Sequence, residues 1–414
     1  MIKKPKRILL ITQWFDPEPT FKGLLFAKKL VAHGFDVEVI TGFPNYPGGK
    51  IYQGYRVKLI QREVIDEVLV TRLPLYPSHD KSKVGRTLNY TSFFLSSLIY
   101  GLFFAKRPDV IYAYHPPLTV GVTAALLKLF RKVPVVLDLQ DMWPDTLRAT
   151  GMINNKLILN FISKVCDFVY KSVSRIVVLS PGFKKLLKTR KVPEEKIDVI
   201  YNWADEDVLR KTCDNPPAVI GKIRGFKVLF AGNIGRAQGL EVIVDAAALL
   251  KNKMPEVNFV ILGKGLMLDN LKARAKKSDL SNIHFIPAVG MEDVGKFLKA
   301  ADALLVHLNP DPLFEITIPG KTQAYMAIGK PVIMGVKGDA AKLVSAAKCG
   351  FCFEPQNATS LANACREIAK LSPMQLKNLG NNSISFYQKN LSVKIGVESF
   401  SKLFNKVINF NMKK

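Results

Sequence analysis

One pattern constrains this chain more than any other, and it occurs twice: a largely apolar run, a turn-rich loop, then an amphipathic helix. Arg7 to Gln13 (RILLITQ) opens the first copy, and Phe226 to Ala231 opens the second. Apolar runs without polar alternation belong to strands covered on both faces, as in a parallel sheet flanked by helices. Parallel neighbours need long crossovers, and helices expected at 24–33 and 240–250 provide them. With 414 residues the chain exceeds one ordinary core. The expectation is therefore two Rossmann-like α/β domains, residues 1–205 and 206–389, with a last helix in 390–414 packing back on the first. Residues 206–224 are polar, contain Pro216-Pro217, and read as the linker. Neither copy carries the G-x-G-x-x-G of dinucleotide folds.

Sheets of this class bind ligands beyond the C-terminal ends of their strands. In the first half that edge receives the Pro-rich loop Asp16 to Gly23 and the turn-rich loop Gly42 to Gly49. It also receives His115, after a strand expected at 109–114, and Asp141, after one at 133–137. Strands near 57–61 and 68–72 lead into a loop over 73–80. In the second half the edge receives Gly232-Asn233-Ile234-Gly235-Arg236, where glycines expose backbone N–H groups beside a fixed cation. Gly263-Lys264-Gly265 follows the next strand. Leu313 to Gly335 then reads as a turn, a helix over 320–328 and a strand over 331–334. Pro319 suits a first helical turn because it has no N–H to leave unpaired. Gly320 lets a ligand approach the backbone, and Lys321 adds a cation where free helix N–H groups already attract anions. An ordinary helix joint fits the local sequence equally well.

The net charge of +26 asks for an anionic partner: nucleic acid, an anionic lipid surface or a phosphorylated substrate. The basic residues are dispersed in short clusters, with no zinc-finger spacing and no alternation of aromatics with basics, so nucleic acid is not expected. Cys349 and Cys352 are formally C-x-x-C but have no second pair, and read as structural. The basic N-terminus is followed by an apolar run too short for a signal peptide, so a cytoplasmic setting is expected. Residues 88–105 are strongly apolar and end at Lys106-Arg107. They are marginal for a span and read as a buried or interfacial helix; a core helix and a contact with the anionic inner leaflet both remain open.

Six stretches occur in an order that resembles the GT-B glycosyltransferases of retaining family 4. Within that family they are most similar to the WbuB-like bacterial enzymes of O-antigen and capsule assembly. The stretches are Ile40 to Tyr55, DVIYAYHPP (Asp109 to Pro117), DLQDMWPD (Asp138 to Asp145), IYNWADED (Ile200 to Asp207), FAGNIGRAQGLE (Phe230 to Glu241) and IPGKTQAYMAIGKPVI (Ile318 to Ile333). The resemblance implies two Rossmann-like domains facing a central cleft, with a nucleotide diphosphate sugar held by the second. Its diphosphate would meet Arg236, Lys321 and the helix at 320–328, close to Gly232, Asn233 and Gly235. Gly263, Lys264, Glu315, Ile318, Pro319, Gly320 and Gln323 would complete the donor side. The acceptor would pass Lys22, Gly23, Asn45 and Tyr46. His115 would contact the donor sugar and Asp141 would orient an acceptor hydroxyl.

Three departures stand out. The family's E-x7-E pair, aligned on Gly329 to Pro331, falls at Ile316 and Ala324; Glu315 and Gln323 keep the spacing one residue out of register. Gln323 could still bond a ribose hydroxyl as a neutral partner. Phe21-Lys22-Gly23 replaces a common Gly-Gly, and Gln140 stands where a His often precedes the Asp. With no clustered His and Asp ligands, no metal or other cofactor is expected, and the nucleotide sugar is a substrate. The expected activity is sugar transfer from a donor, UDP-linked by preference, to a lipid-linked glycan acceptor by a peripheral enzyme of the inner membrane. A UDP-sugar epimerase of the same fold and a non-catalytic basic nucleic-acid-binding or scaffold protein remain the rival readings.

Overall fold

Ile8, Leu9, Leu10 and Ile11 are all buried, so the segment Lys6–Ile11 (β1) can only be a central strand. A computed structural model describes residues 4–78, 83–115, 117–210 and 216–412. It divides into two compact units. Unit 1 holds the residues up to Leu179, Phe183–Ile200 and those from Gly396 on; unit 2 holds Ser180–Gly182 and Tyr201–Ile395.

In unit 1 the further strands are Phe35–Gly42 (β2), Gln61–Ile65 (β3), Val68–Leu73 (β4), Val110–His115 (β5), Val135–Leu139 (β6), Arg175–Val178 (β7) and Ile197–Val199 (β8). Their order is β3-β4-β2-β1-β5-β6-β7-β8. All pair in parallel except β3 and β4, a hairpin turning at Asp66 and Glu67, both at positive φ. That tight turn fixes the register, so the strand expected at 57–61 forms at 61–65 instead, and Leu59 and Ile60 stay exposed. The apolar helix expected at 88–105 runs over Lys83–Phe103, burying Phe93, Ser97 and Tyr100 against the unit. The C-terminal helix Val393–Met412 seats Phe400 and Phe404 against Phe26, Phe35 and Tyr112 of unit 1.

Unit 2 contains Phe226–Asn233 (β9), Val257–Lys264 (β10), Ile283–Pro287 (β11), Ala303–His307 (β12), Val332–Gly335 (β13) and Gly350–Cys352 (β14). They form one parallel sheet in the order β11-β10-β9-β12-β13-β14. Alternate residues of β9 enter different cores: Val228 and Phe230 one, Leu229 and Ala231 the other. Each such fully buried aliphatic side chain is worth roughly 1.5–3 kcal/mol. The supposed linker is part of this unit. Helices Glu206–Arg210 and Ala218–Gly221 bury Leu209 and Ile220 in its core, which places the division at 200/201 rather than 205/206. Residues 211–215 of that linker, 79–80 of the 73–80 loop and Pro116 lie outside the described residues.

Candidate functional site

In unit 2, β9 and β12 are neighbours, and the sheet grows from them in opposite directions. The loops after these two strands therefore diverge and leave a crevice at the carboxyl edge. The chain bends at Gly232 (φ 140°), near the end of β9, and again at Gly239 (φ 53°), with a short 3-10 turn Arg236–Gln238 between them. A side chain at position 263 would strike the Gly232 carbonyl, so a glycine is required there. Three residues beyond the loop hold it. Asn309 donates its Nδ2 to the Arg236 carbonyl (2.7 Å) and its backbone N–H to the Ala237 carbonyl (2.9 Å). His307 Nδ1 donates to the Gln238 carbonyl (2.7 Å), while its Nε2 accepts the Gln356 N–H (3.1 Å). The Gln356 amide donates to the Gly239 carbonyl (3.0 Å). Burial pushes His307 down to about 4, matching the neutral tautomer those bonds require. Arg236, Asn233 and Lys264 are exposed. One expectation fails: the Gly235 N–H is already donated to Gln238 Oε1 (3.0 Å) and does not face outward.

The helix Gly320–Ile328 starts after Pro319 with no side-chain cap and ends at Gly329 in the left-handed region. Tyr325 pins it to β9, its hydroxyl accepting the Ala231 N–H at 2.9 Å. Lys321 Nζ lies 3.5 Å from the Phe230 ring centroid, against Gly232, where an added Cβ would come within 3.1 Å of it. This ammonium is buried and has no hydrogen-bond partner among the described residues. Burial alone pushes its pKa down to about 7. Gln323 does not point to a ligand. It is buried, and its amide donates to the carbonyls of Pro319 (3.0 Å) and Gly320 (3.1 Å), because its place on the first turn faces the core. Glu315 is exposed at the end of the short helix Pro312–Glu315; Ile318 is buried.

Unit 1 repeats the topology: β1 and β5 are neighbours at its switch point. Here the lysine of the first loop is spent internally. Lys22, expected beside the acceptor, is fully buried, 2.5 Å from Asp138 Oδ2 and 4.9 Å from the Phe400 ring. Asp138 also accepts Tyr112 OH (2.5 Å) and Gln140 Nε2 (2.6 Å), which explains the departure at 140. Gly23 packs on Asp16, whose carboxylate accepts the Leu24 N–H at 2.7 Å, so it shapes the loop. The carboxylate not foreseen from sequence is Glu18. It accepts the N–H groups of Asn45 (2.7 Å), Tyr46 (2.7 Å) and Phe15 (3.2 Å), joining the two loops, and burial pushes it up to about 7. Asn45 is buried, whereas Tyr46 is half-buried and stacks on Trp14 at 4.6 Å. Asp141 is half-buried; its carbonyl accepts the Trp143 N–H (3.1 Å), but its carboxylate accepts no hydrogen bond among the described residues and is pushed up to about 6 by burial. His115, the last residue of β5, is buried with both ring nitrogens unpartnered among the described residues, and burial pushes it down to about 4. No cluster of three or more His, Cys, Asp or Glu side chains suited to a metal ion occurs among the described residues. Cys349 is buried and Cys352 exposed, both as free thiols.

Comparison with known proteins assigns one family model to each half. The glycosyl transferase 4-like domain matches residues 24–203, and glycosyl transferases group 1 matches 222–386. The probable glycosyltransferase WbjE of Pseudomonas aeruginosa is 27% identical over 303 residues, 72% of this chain and 74% of that protein. The putative colanic acid biosynthesis glycosyl transferase WcaI of Escherichia coli K12 is 27% identical over 343 residues, 78% of this chain and 81% of that protein. Among solved structures, sucrose-phosphate synthase from Thermosynechococcus elongatus superposes with a TM-score of 0.74 at 17% identity, over 98% of this chain and 99% of that one. Anabaena HepE, crystallised with UDP-glucose, gives 0.69 at 16% identity, over 97% and 99%. A sheet with one switch point in each unit, and a family model on each, place this chain among the family 4, group 1 glycosyltransferases with the GT-B fold.

Proposed function

We propose that this glycosyltransferase moves a sugar, with retention, from a nucleoside diphosphate donor to a polyprenyl-diphosphate-linked glycan during assembly of a bacterial surface polysaccharide. The donor we favour is a UDP-linked N-acetyl amino sugar, with no metal taking part. One observation carries the reading: the buried ammonium of Lys321, without a hydrogen-bond partner among the described residues, at the start of an uncapped helix on the ligand-binding edge. A buried cation is unfavourable until an anion joins it. A diphosphate supplies that anion, and the helix N–H groups and Arg236 supply further positive charge. Cleavage of the sugar–phosphate bond builds negative charge on the leaving diphosphate, and preorganised cations stabilise it as it forms. The names of WcaI and of the UDP-glucose complex of HepE support the choice of pathway and base.

The carboxylate pair of the family is not available to this reading. Glu315 is exposed, Gln323 faces the core, and Ile316 and Ala324 occupy the aligned places. Same-face attack through an oxocarbenium-like state needs no such nucleophile. By the resemblance, Asp141 orients the acceptor hydroxyl and His115 faces the donor sugar.

The test is proton linkage. Lys321 titrates at about 7 when the site is empty. A bound diphosphate raises that value, so UDP binding takes up a proton above pH 7 and affinity falls as pH rises. Calorimetric titration with UDP at pH 8, in buffers of different ionisation enthalpy, should show uptake approaching one proton. Absence of UDP binding, or binding without uptake, overturns the assignment.

A further inference from the structure

We propose that the helix Lys83–Phe103 lies flat on an anionic lipid surface. Its inner side is packed in unit 1, with Phe93, Ser97 and Tyr100 buried. Its outer side is a single stripe at helical spacing: Val84, Leu88, Leu95, Ile99 and Phe103, with Thr87 and Thr91 as polar members. These five apolar side chains are between 47% and 76% exposed. The stripe runs from Val84 to Phe103, roughly 30 Å of helix, and contains no charged side chain in its line. A surface helix ordinarily turns charged residues to water, so an apolar outer line of this length calls for a covering. It continues past the helix end into Phe104 and Phe130, both exposed. Arg131 ties the two helix ends together, donating to the carbonyls of Gly101 (2.6 Å) and Ala105 (3.0 Å).

Charge identifies the occupant. Neither this helix nor the neighbouring Leu118–Arg131 contains an Asp or Glu, while Lys106, Arg107 and Lys132 are exposed beside the apolar end. A second copy meeting the face symmetrically would bring cation onto cation. An anionic bilayer offers apolar depth for the stripe and negative headgroups for its flanks. No helix among the described residues is long and apolar enough to cross a membrane, so the contact is in plane.

The experiment uses the full chain and no nucleotide, so its result is independent of the donor assignment. Sedimentation with vesicles of phosphatidylglycerol and phosphatidylcholine should pull down the protein, less so as salt rises and far less with phosphatidylcholine alone. Leu95→Glu with Ile99→Glu should lower vesicle affinity about tenfold or more, as should Lys106→Ser with Arg107→Ser, each pair leaving UDP binding unchanged. All four side chains point outward or lie past the helix, so thermal unfolding should match the parent protein. Equal binding by the glutamate variant, salt-independent binding to neutral vesicles, or a solution dimer that the glutamate variant dissociates would each overturn the proposal.

Discussion

The two units place the same residue types at the same topological points and use them in opposite ways. Each switch point has a lysine on a loop or helix facing it and a histidine closing the strand beside it: Lys22 and His115 in unit 1, Lys321 and His307 in unit 2. In unit 1 the lysine is neutralised by Asp138, while both histidine nitrogens are unpartnered among the described residues. In unit 2 the histidine uses both nitrogens to fasten a loop, while the lysine has no hydrogen-bond partner among the described residues. All four groups are buried enough to move their titration toward the neutral form. Burial therefore does not separate structural from functional roles here. Internal satisfaction does: a buried polar group that the fold completes is architecture, and one left incomplete awaits a ligand.

The largest effect should come from the lysine that the fold completes. Lys22→Met strands the Asp138 carboxylate in an apolar core where, among the described residues, Tyr112 and Gln140 are left to bond it. Removing one member of a buried pair costs about 3–5 kcal/mol, and replacing both is often near neutral. Denaturant melts should show that loss for Lys22→Met and a partial recovery for Lys22→Met with Asp138→Asn. Stability unchanged in the single variant would erase the contrast between the two lysines.

Lys321→Met should behave in the opposite sense. No hydrogen bond among the described residues is broken and the contact with the Phe230 ring becomes an apolar one, so the melting temperature should hold or rise, because a desolvated cation is removed. Turnover should fall by about 10²–10³, as for other lost stabilisers of developing negative charge. Measuring both quantities in one variant sharpens the comparison: a stable protein that cannot transfer sugar separates Lys321 from Lys22.

The alternation of apolar runs and helices carried the fold, and the loop glycines and Pro319-Gly320-Lys321 marked the donor edge of unit 2 directly. Less legible was which polar side chains the fold would consume. Lys22 and Asp138 are 116 positions apart, and nothing local in either announces the other. Glu18 looks like one more polar residue of a Pro-rich loop, yet it gathers three backbone N–H groups from two loops. Gln323 kept a plausible spacing from Glu315, but position on the first helical turn, not spacing, decides that it faces inward. His307 carries a readable cue: a histidine ending a strand two residues before Asn309, on the strand beside the glycine loop.

The histidines give the smallest and most discriminating effect. His307→Leu leaves the Gln238 carbonyl and the Gln356 N–H without their partner, a cost of about 1–3 kcal/mol. It also frees the loop that positions Arg236, so the donor KM should rise while kcat changes less. His115→Leu breaks no bond within the described residues, so its cost should be smaller and its effect should fall on turnover. Both imidazoles have folded pKa values of about 4 against an ordinary 6.5, so the unfolded chain binds more protons in that interval. The pH-dependent stability they contribute is present above pH 6.5 and is lost as pH falls from 6.5 toward 4. Each leucine variant should therefore flatten the acid limb of the stability profile. Only His307→Leu should also lower stability at pH 7.5, where both rings are neutral and the lost hydrogen bonds alone remain to be counted.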